Sequence, residues 1–419
     1  MKAEKKKIFY GWYVAVTGCL VMAMTVGLTN NSFGQFVKPV CEDMGFTRQQ
    51  MSLNATILSL VSLGFALIWG TLSKKIRLHR WMCVSAVLLP VLFFSYSFAN
   101  SPLAFYGISV AMGLSYCFVS MMIFTTISGN WFEKHRGMAI GITSMGSGIG
   151  GMVMNPLAGS LIQSVGWRST YQLLAVAMAV LIIPAIWFVV REKPADKGLL
   201  PYGSEEKKSS APAAAGTASE ASGISCGEAV KKSVFWILAT VTILMVITTS
   251  SFSPTLPPHL SDNGYSVDFA ALLASLSMGA LAVGKVILGR LFDQLGVRKA
   301  SVIACIFTLA AALGMVFCTQ KISLAAIVLG IGLGGSFGAI CVPIILRALF
   351  GSKDFDSIYG KLFAAIGLGS AVSPVISGRV YDLLGSYVPF FLVAATGIAV
   401  SIAVLWKVLP KEEKGEIHG

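Results

Sequence analysis

The chain has 419 residues, 55% of them hydrophobic and 12% charged, against about 45–50% and 25% in an ordinary soluble domain. With a mean hydropathy of +0.76, that length holds roughly a dozen membrane crossings of about 20 residues each, which excludes a large extramembrane enzyme. The net charge of +13 reads as a difference between the two sides of a membrane, so no nucleic-acid partner is expected.

Taken in chain order, apolar runs cut at charged or Asn/Ser/Pro/Gly-rich breaks predict twelve helices. They lie at 9–36, 51–72, 81–98, 102–130, 138–163, 170–190, 234–258, 266–291, 300–318, 322–349, 362–384 and 387–409. Lys2 to Lys7 ahead of an apolar run resembles a signal peptide, but the run continues past Val26 without a small-residue cleavage pattern and is read as the first span. No Asp, Glu, Lys or Arg occurs in the 52 residues from Trp81 to Phe132, and Ala99-Asn100-Ser101-Pro102 splits that stretch into two crossings. Only helices satisfy their own backbone in lipid when no barrel pattern is present. Cys19, Cys83, Cys117, Cys305, Cys318 and Cys341 sit inside apolar runs and read as small hydrophobes, not as disulfide partners.

The longest connection, Arg191 to Lys232, holds a Ser/Glu/Lys cluster and an Ala/Ser/Gly-rich tract, a composition expected to stay flexible. It divides the chain into a six-helix bundle at 1–190, a linker at 191–232 and a second six-helix bundle at 233–419. With the amino terminus cytoplasmic, 26 of the 32 Lys and Arg fall on the cytoplasmic side, five fall opposite, and Lys285 lies within a helix. This bias places both termini inside. A shift of 219 residues superposes Gly70 on Gly289, Gly148 on Gly367, Gly150 on Gly369, Gly159 on Gly378 and Gly166 on Gly385. Gly-x6-Gly also recurs at 159/166, 289/296 and 378/385. The expected fold is an all-α membrane protein of two pseudo-symmetric six-helix bundles, and duplicated halves rocking about a central site are a transporter architecture.

The run Gly289-Arg290-Leu291-Phe292-Asp293-Gln294-Leu295-Gly296-Val297-Arg298-Lys299 resembles the signature loop of the major facilitator superfamily, with a partial echo at Gly378 to Gly385. The first-half equivalent, starting at Gly70, carries Lys74 where that superfamily usually has Asp. The resemblance implies a conformational loop motif built on Gly70, Gly289, Arg290, Asp293, Gly296 and Arg298. Tyr10-Gly11-Trp12-Tyr13 and Trp131-Phe132-Glu133-Lys134-His135-Arg136-Gly137-Met138-Ala139-Ile140-Gly141 are similar to the monocarboxylate transporters and their bacterial relatives, the oxalate:formate antiporters. Those families imply carriage of a small organic anion, with a proton or in exchange for another anion.

Lys285 is the sharpest chemical signal. It lies eight residues before Asp293, about 12 Å along the helix, where an ammonium costs at least ~2.5 kcal/mol. The reading is a counter-ion for an anionic substrate; snorkelling or structural pairing is the alternative. The resemblance supports the same role, since monocarboxylate transporters carry a substrate-binding Arg near this point. Lys supplies a point charge where Arg supplies a fork. Asn30 and Asn31 in helix one, Tyr116 in helix four and Phe337 in helix ten are the other substrate-binding candidates, each with ordinary interhelical packing as the alternative. Asn155 precedes Pro156, which frees the carbonyl of Met152, so its amide is expected to compensate that carbonyl. Animal monocarboxylate transporters place an Asp one turn before their Arg, and this chain has Leu281 there. Proton coupling is therefore assigned to Lys285, to the substrate carboxyl or to His259, or replaced by exchange. Oxalate exchangers carry a second cation in helix eleven, whereas residues 362–378 hold none, which favours a monoanion. No catalytic residue, cofactor or metal is expected. The expected surroundings are membrane lipids and a bacterial plasma membrane, with a monomer sufficient for function. Export or exchange of another organic anion is the competing reading, and a non-transporting acid sensor is the alternative of another class.

Overall fold

The computed structural model describes residues 9–46, 48–73, 75–204 and 223–410. Among these, ten helices are long and apolar enough to cross a bilayer. Two of them, Arg136–Val189 and Leu272–Val316, are 54 and 45 residues long, and at 1.5 Å per residue would run about 81 and 68 Å through a core of about 30 Å. Each folds back at a glycine, Gly166 at φ +80° and Gly296 at φ +78°, a conformation that side chains resist. The crossings therefore number twelve. We label them α1 (Tyr10–Met44), α2 (Arg48–Leu72), α3 (Leu78–Phe98), α4 (Pro102–Trp131), α5 (136–165), α6 (167–189), α7 (Ser233–Asp262), α8 (267–295), α9 (297–316), α10 (Lys321–Phe350), α11 (Phe355–Leu384) and α12 (Val388–Val408).

The Gly-x6-Gly repeat now has a physical account. Gly166, Gly296 and Gly385, the second glycine of each pair, all take positive φ at the turn into the next helix. Two boundaries differ most from expectation. Helix α1 runs on to Met44 and stops at Gly45, φ +68°. Helix α11 starts at Phe355, because Asp356 sits in its first turn, where a carboxylate suits the helix dipole and does not break the helix. Helices α1 and α10 carry π-helical segments at Gly27–Asn31 and Phe337–Cys341. Large apolar side chains such as Leu103, Val180 and Val393 are exposed and form the lipid-facing surface of the bundle.

The two motifs that carry the narrower resemblance meet in one aromatic cluster. The ring of Trp12 lies 4.7 Å from that of Phe132, and Phe9 packs on both Trp131 and Phe132. A side chain at Gly11 would press into Phe9 and Phe132. Both described ends of the connection 191–232 are fastened to neighbouring loops. Tyr202 donates its N–H to the Trp131 carbonyl at 2.9 Å and accepts from the Glu133 and Lys134 N–H groups at 3.0 Å. On the other half, Ile224 donates to the Phe350 carbonyl at 3.1 Å and Cys226 to the Asp354 carboxylate at 3.0 Å. The first anchor joins the α4–α5 loop and the second the α10–α11 loop, which are equivalent in the two halves. Residues 205–222, Lys74 and the lysines Lys2 to Lys7 lie outside the described residues.

Candidate functional site

The halves meet tightly on the face that carries both ends of the described chain. Helix α5 crosses α8 there with almost no side chain between them: a Cβ on Gly289 would overlap the Gly137 carbonyl, and one on Gly137 the Gly289 carbonyl. The Asp293 carboxylate accepts the N–H groups of Gly137 and Met138 at 2.9 and 2.8 Å, capping the start of α5 with an anion from the opposite half. In the pseudo-equivalent crossing, Gly70 of α2 abuts Ser357 of α11. Thr126 of α4 donates to Asp356 at 3.2 Å, and Arg347 of α10 donates to the Gly129 carbonyl at 3.3 Å.

The opposite face is open. The glycines equivalent to Gly70 and Gly289 are Gly159 and Gly378; the first meets only Gln35 at 3.5 Å and the second nothing within 4 Å. Between the halves on that side lies a vestibule of about 750 Å³ bordered by α1, α5, α7, α8 and α10. No charged side chain borders it among the described residues. A second cleft, of about 930 Å³, lies on the closed face and carries both signs, Arg77, Arg80 and Arg191 among them opposite Glu192 and Asp196.

Lys285 sits beneath the vestibule floor, only 7% exposed. Its backbone abuts Gly141, and its ammonium reaches across the interface to α5, donating to the Ser144 carbonyl at 3.2 Å and to the Ser147 hydroxyl. No carboxylate among the described residues pairs with it. Asn31 donates to the Ser147 carbonyl at 3.0 Å, so Lys285, Asn31 and Ser147 form one cluster. Asn31 also touches the space beside Gly151, which borders the vestibule. Asn30 reaches the Tyr116 hydroxyl at 3.5 Å, the outer limit of a hydrogen bond.

The remaining candidates are placed elsewhere. Phe337 has 0% exposure in the π-helical break of α10, so it offers no surface to a ligand in this conformation. His259 is buried at 2% exposure, with Nε2 at 2.7 Å from the Met315 carbonyl. A carbonyl accepts only from N–H, so Nε2 is the donor in this contact, and the ring is not among the residues that line the vestibule. Asn155 makes no hydrogen bond to Met152, contrary to expectation; its Oδ1 is buried and unpaired. Arg290 is exposed, while the Arg298 guanidinium stacks 4.2 Å over the Trp406 ring. Ser144 and Ser147 are missed by sequence reasoning. Their three-residue spacing on a glycine-rich helix is the signal that points to them, because it puts two polar groups on the face that the glycines bring against α8.

The model of the Major Facilitator Superfamily matches residues 19–250 and again 238–418. Monocarboxylate transporter 10 of Rattus norvegicus is 25% identical over 415 residues, covering 94% of this chain and 77% of that protein. Riboflavin transporter RibJ of Trypanosoma cruzi is 26% identical over 195 residues, 44% of this chain, and its Trypanosoma brucei brucei counterpart 28% identical over the same length; the chain covers only 40% and 34% of those two proteins. Among solved structures, the proton:xylose symporter XylE superposes with a TM-score of 0.70 at 13% identity over 96% of both chains. The duplicated match, the two six-helix bundles and the glycine crossings agree: this chain belongs to the Major Facilitator Superfamily.

Proposed function

We propose that the chain carries small monocarboxylate anions, such as lactate, pyruvate or a short-chain acid, across a plasma membrane by alternating access, as proton symport or anion exchange. The observation that carries this reading is Lys285, a buried ammonium with no carboxylate partner among the described residues, held by the opposite half under a vestibule. An ammonium that a protein keeps in the membrane without an acidic partner calls for an anion from outside the chain. One fixed charge matches one carboxylate. The kinship with monocarboxylate transporter 10 points the same way.

With both termini cytoplasmic, as the 26-to-5 distribution of cations indicates, the vestibule faces outward and the glycine crossings form the inner gate. In the proposed cycle an arriving carboxylate competes with Ser144 and Ser147 for the Lys285 ammonium. It thereby loosens the contact of α8 with α5, and residues 1–190 rock against 233–419 about the linker. Release meets the basic residues of the inner cleft. Coupling runs through Lys285, the substrate carboxyl or His259, or is replaced by exchange.

Uptake of labelled lactate and pyruvate into proteoliposomes of the full chain, with and without an inward proton gradient, tests the proposal. Saturable uptake that follows the gradient supports symport, and uptake dependent on internal anion supports exchange. A chain that binds these acids without moving them is a sensor, and one that moves neither acid in either assay overturns the reading.

A further inference from the structure

Helix α5 carries one continuous stripe from the buried ammonium to the outer mouth. Ser144, Ser147, Gly151, Asn155, Gly159 and Gln163 follow at intervals of three or four residues, so they share one face. The last four border the vestibule, and Lys285 grips the first two. Along this stripe the glycines leave room and the amides supply the chemistry. Asn155 Oδ1 is buried, makes no hydrogen bond and lies on a vestibule-lining residue. A buried amide oxygen without a donor costs about 1–3 kcal/mol, and native proteins rarely retain one without a use. The vestibule that Asn155 borders is also lined by Gln35, Ser160, Gln163 and Ser253 and, among the described residues, by no charged side chain, which favours a neutral donor.

We infer that the preferred substrate is a carboxylate bearing a hydroxyl or amide donor at its far end, with Asn155 as the residue that reads that donor. This rests on Lys285 binding the carboxylate as proposed above and specifies what lies beyond it. Asn155 stands eight residues after Ser147, about 12 Å along the helix. Allowing about 3 Å for a hydrogen bond at each end, carboxylate and donor are separated by roughly 6–12 Å. A three-carbon acid is too short to touch both. A vestibule of about 750 Å³ lies within the roughly 300–1,000 Å³ of sites that enclose much larger ligands.

The test is a matched pair in proteoliposomes: inhibition of labelled-acid uptake by 6-hydroxyhexanoate and by heptanoate, equal in heavy atoms and differing in a terminal hydroxyl against a methyl. The hydroxy acid should inhibit at a concentration at least tenfold lower, because a site with an unmatched acceptor rejects the analogue that lacks the donor. Asn155→Leu should bring the two acids to the same inhibiting concentration. Equal inhibition by both acids in the unaltered chain overturns the inference and leaves the carboxylate reading standing, with no variant needed. Equal discrimination before and after a folded Asn155→Leu also overturns it. Absence of inhibition by either acid while the labelled acid is still taken up overturns the inference and leaves the carboxylate reading standing; absence of labelled-acid uptake removes both.

Discussion

The Lys285 ammonium occupies three relationships at once: buried in the membrane interior, bonded among the described residues to neutral oxygens alone, and placed so that its bonds cross from one half to the other. Lys285→Ala should bring uptake to the background of empty liposomes while the protein still elutes as a monodisperse peak, and Lys285→Arg should keep a fraction of the rate. Lys285→Met removes a charge that costs at least ~2.5 kcal/mol to bury and keeps the stem. A melting temperature in detergent equal to or above that of the unaltered chain is expected, against a clear drop if the lysine were structural. Of this site the sequence showed the ammonium and Asn31, because a charge in an apolar run and a paired amide stand out by composition alone. It did not show Ser144 and Ser147, since serines are common in such helices and their meaning comes from a contact with a helix 140 or so positions away. The bond from the His259 ring to the Met315 carbonyl was invisible for the same reason, since it joins positions 56 residues apart.

Among the helices, the four glycines at equivalent places behave in two ways, and substitution should separate them. Gly289→Ala puts a methyl into the Gly137 carbonyl, so the gate cannot seat; spin-label distances across the closed face should lengthen and transport should fall by at least tenfold. Gly378→Ala meets nothing within 4 Å and replaces a poor helix former, so stability should hold or rise by about 0.5–1 kcal/mol. Asp293→Asn removes the charge that caps α5 from the other half. A loss of about 1–2 kcal/mol shifts the population toward the state open on the termini face by roughly 5–30-fold, readable in the same distance measurement. The helices themselves were legible because charge and hydropathy mark where a chain leaves the bilayer. Their ends were less so: α1 passes through Pro39 and α11 takes Asp356 and Lys361 into its length, since a polar residue near a helix terminus is solvated without breaking the helix. The π-helical segments that contain Asn30, Asn31 and Phe337 leave no periodic trace in the sequence.

For the whole molecule, the charge distribution and the open vestibule make a joint statement about sidedness. A cysteine introduced at Asn263, in the α7–α8 loop, should react with an impermeant maleimide in intact cells. One introduced at Lys353, in the α10–α11 loop, should react only after permeabilisation; the reverse pattern inverts the orientation proposed here. The six-plus-six organisation could be read from the sequence through its long middle connection and the 219-residue repeat, whereas the anchoring of that connection at Tyr202 and Ile224 could not, because two short backbone pairings carry no compositional signature. The gate crossings add a mechanical consequence. Where α5 meets α8, peptide group lies against peptide group, a stop set by atomic radii that neither rotamer changes nor added electrolyte can displace. Ionic strength and mutation of nearby charges will therefore change how long the doorway stays shut, while the travel of each stroke remains the same from one turnover to the next.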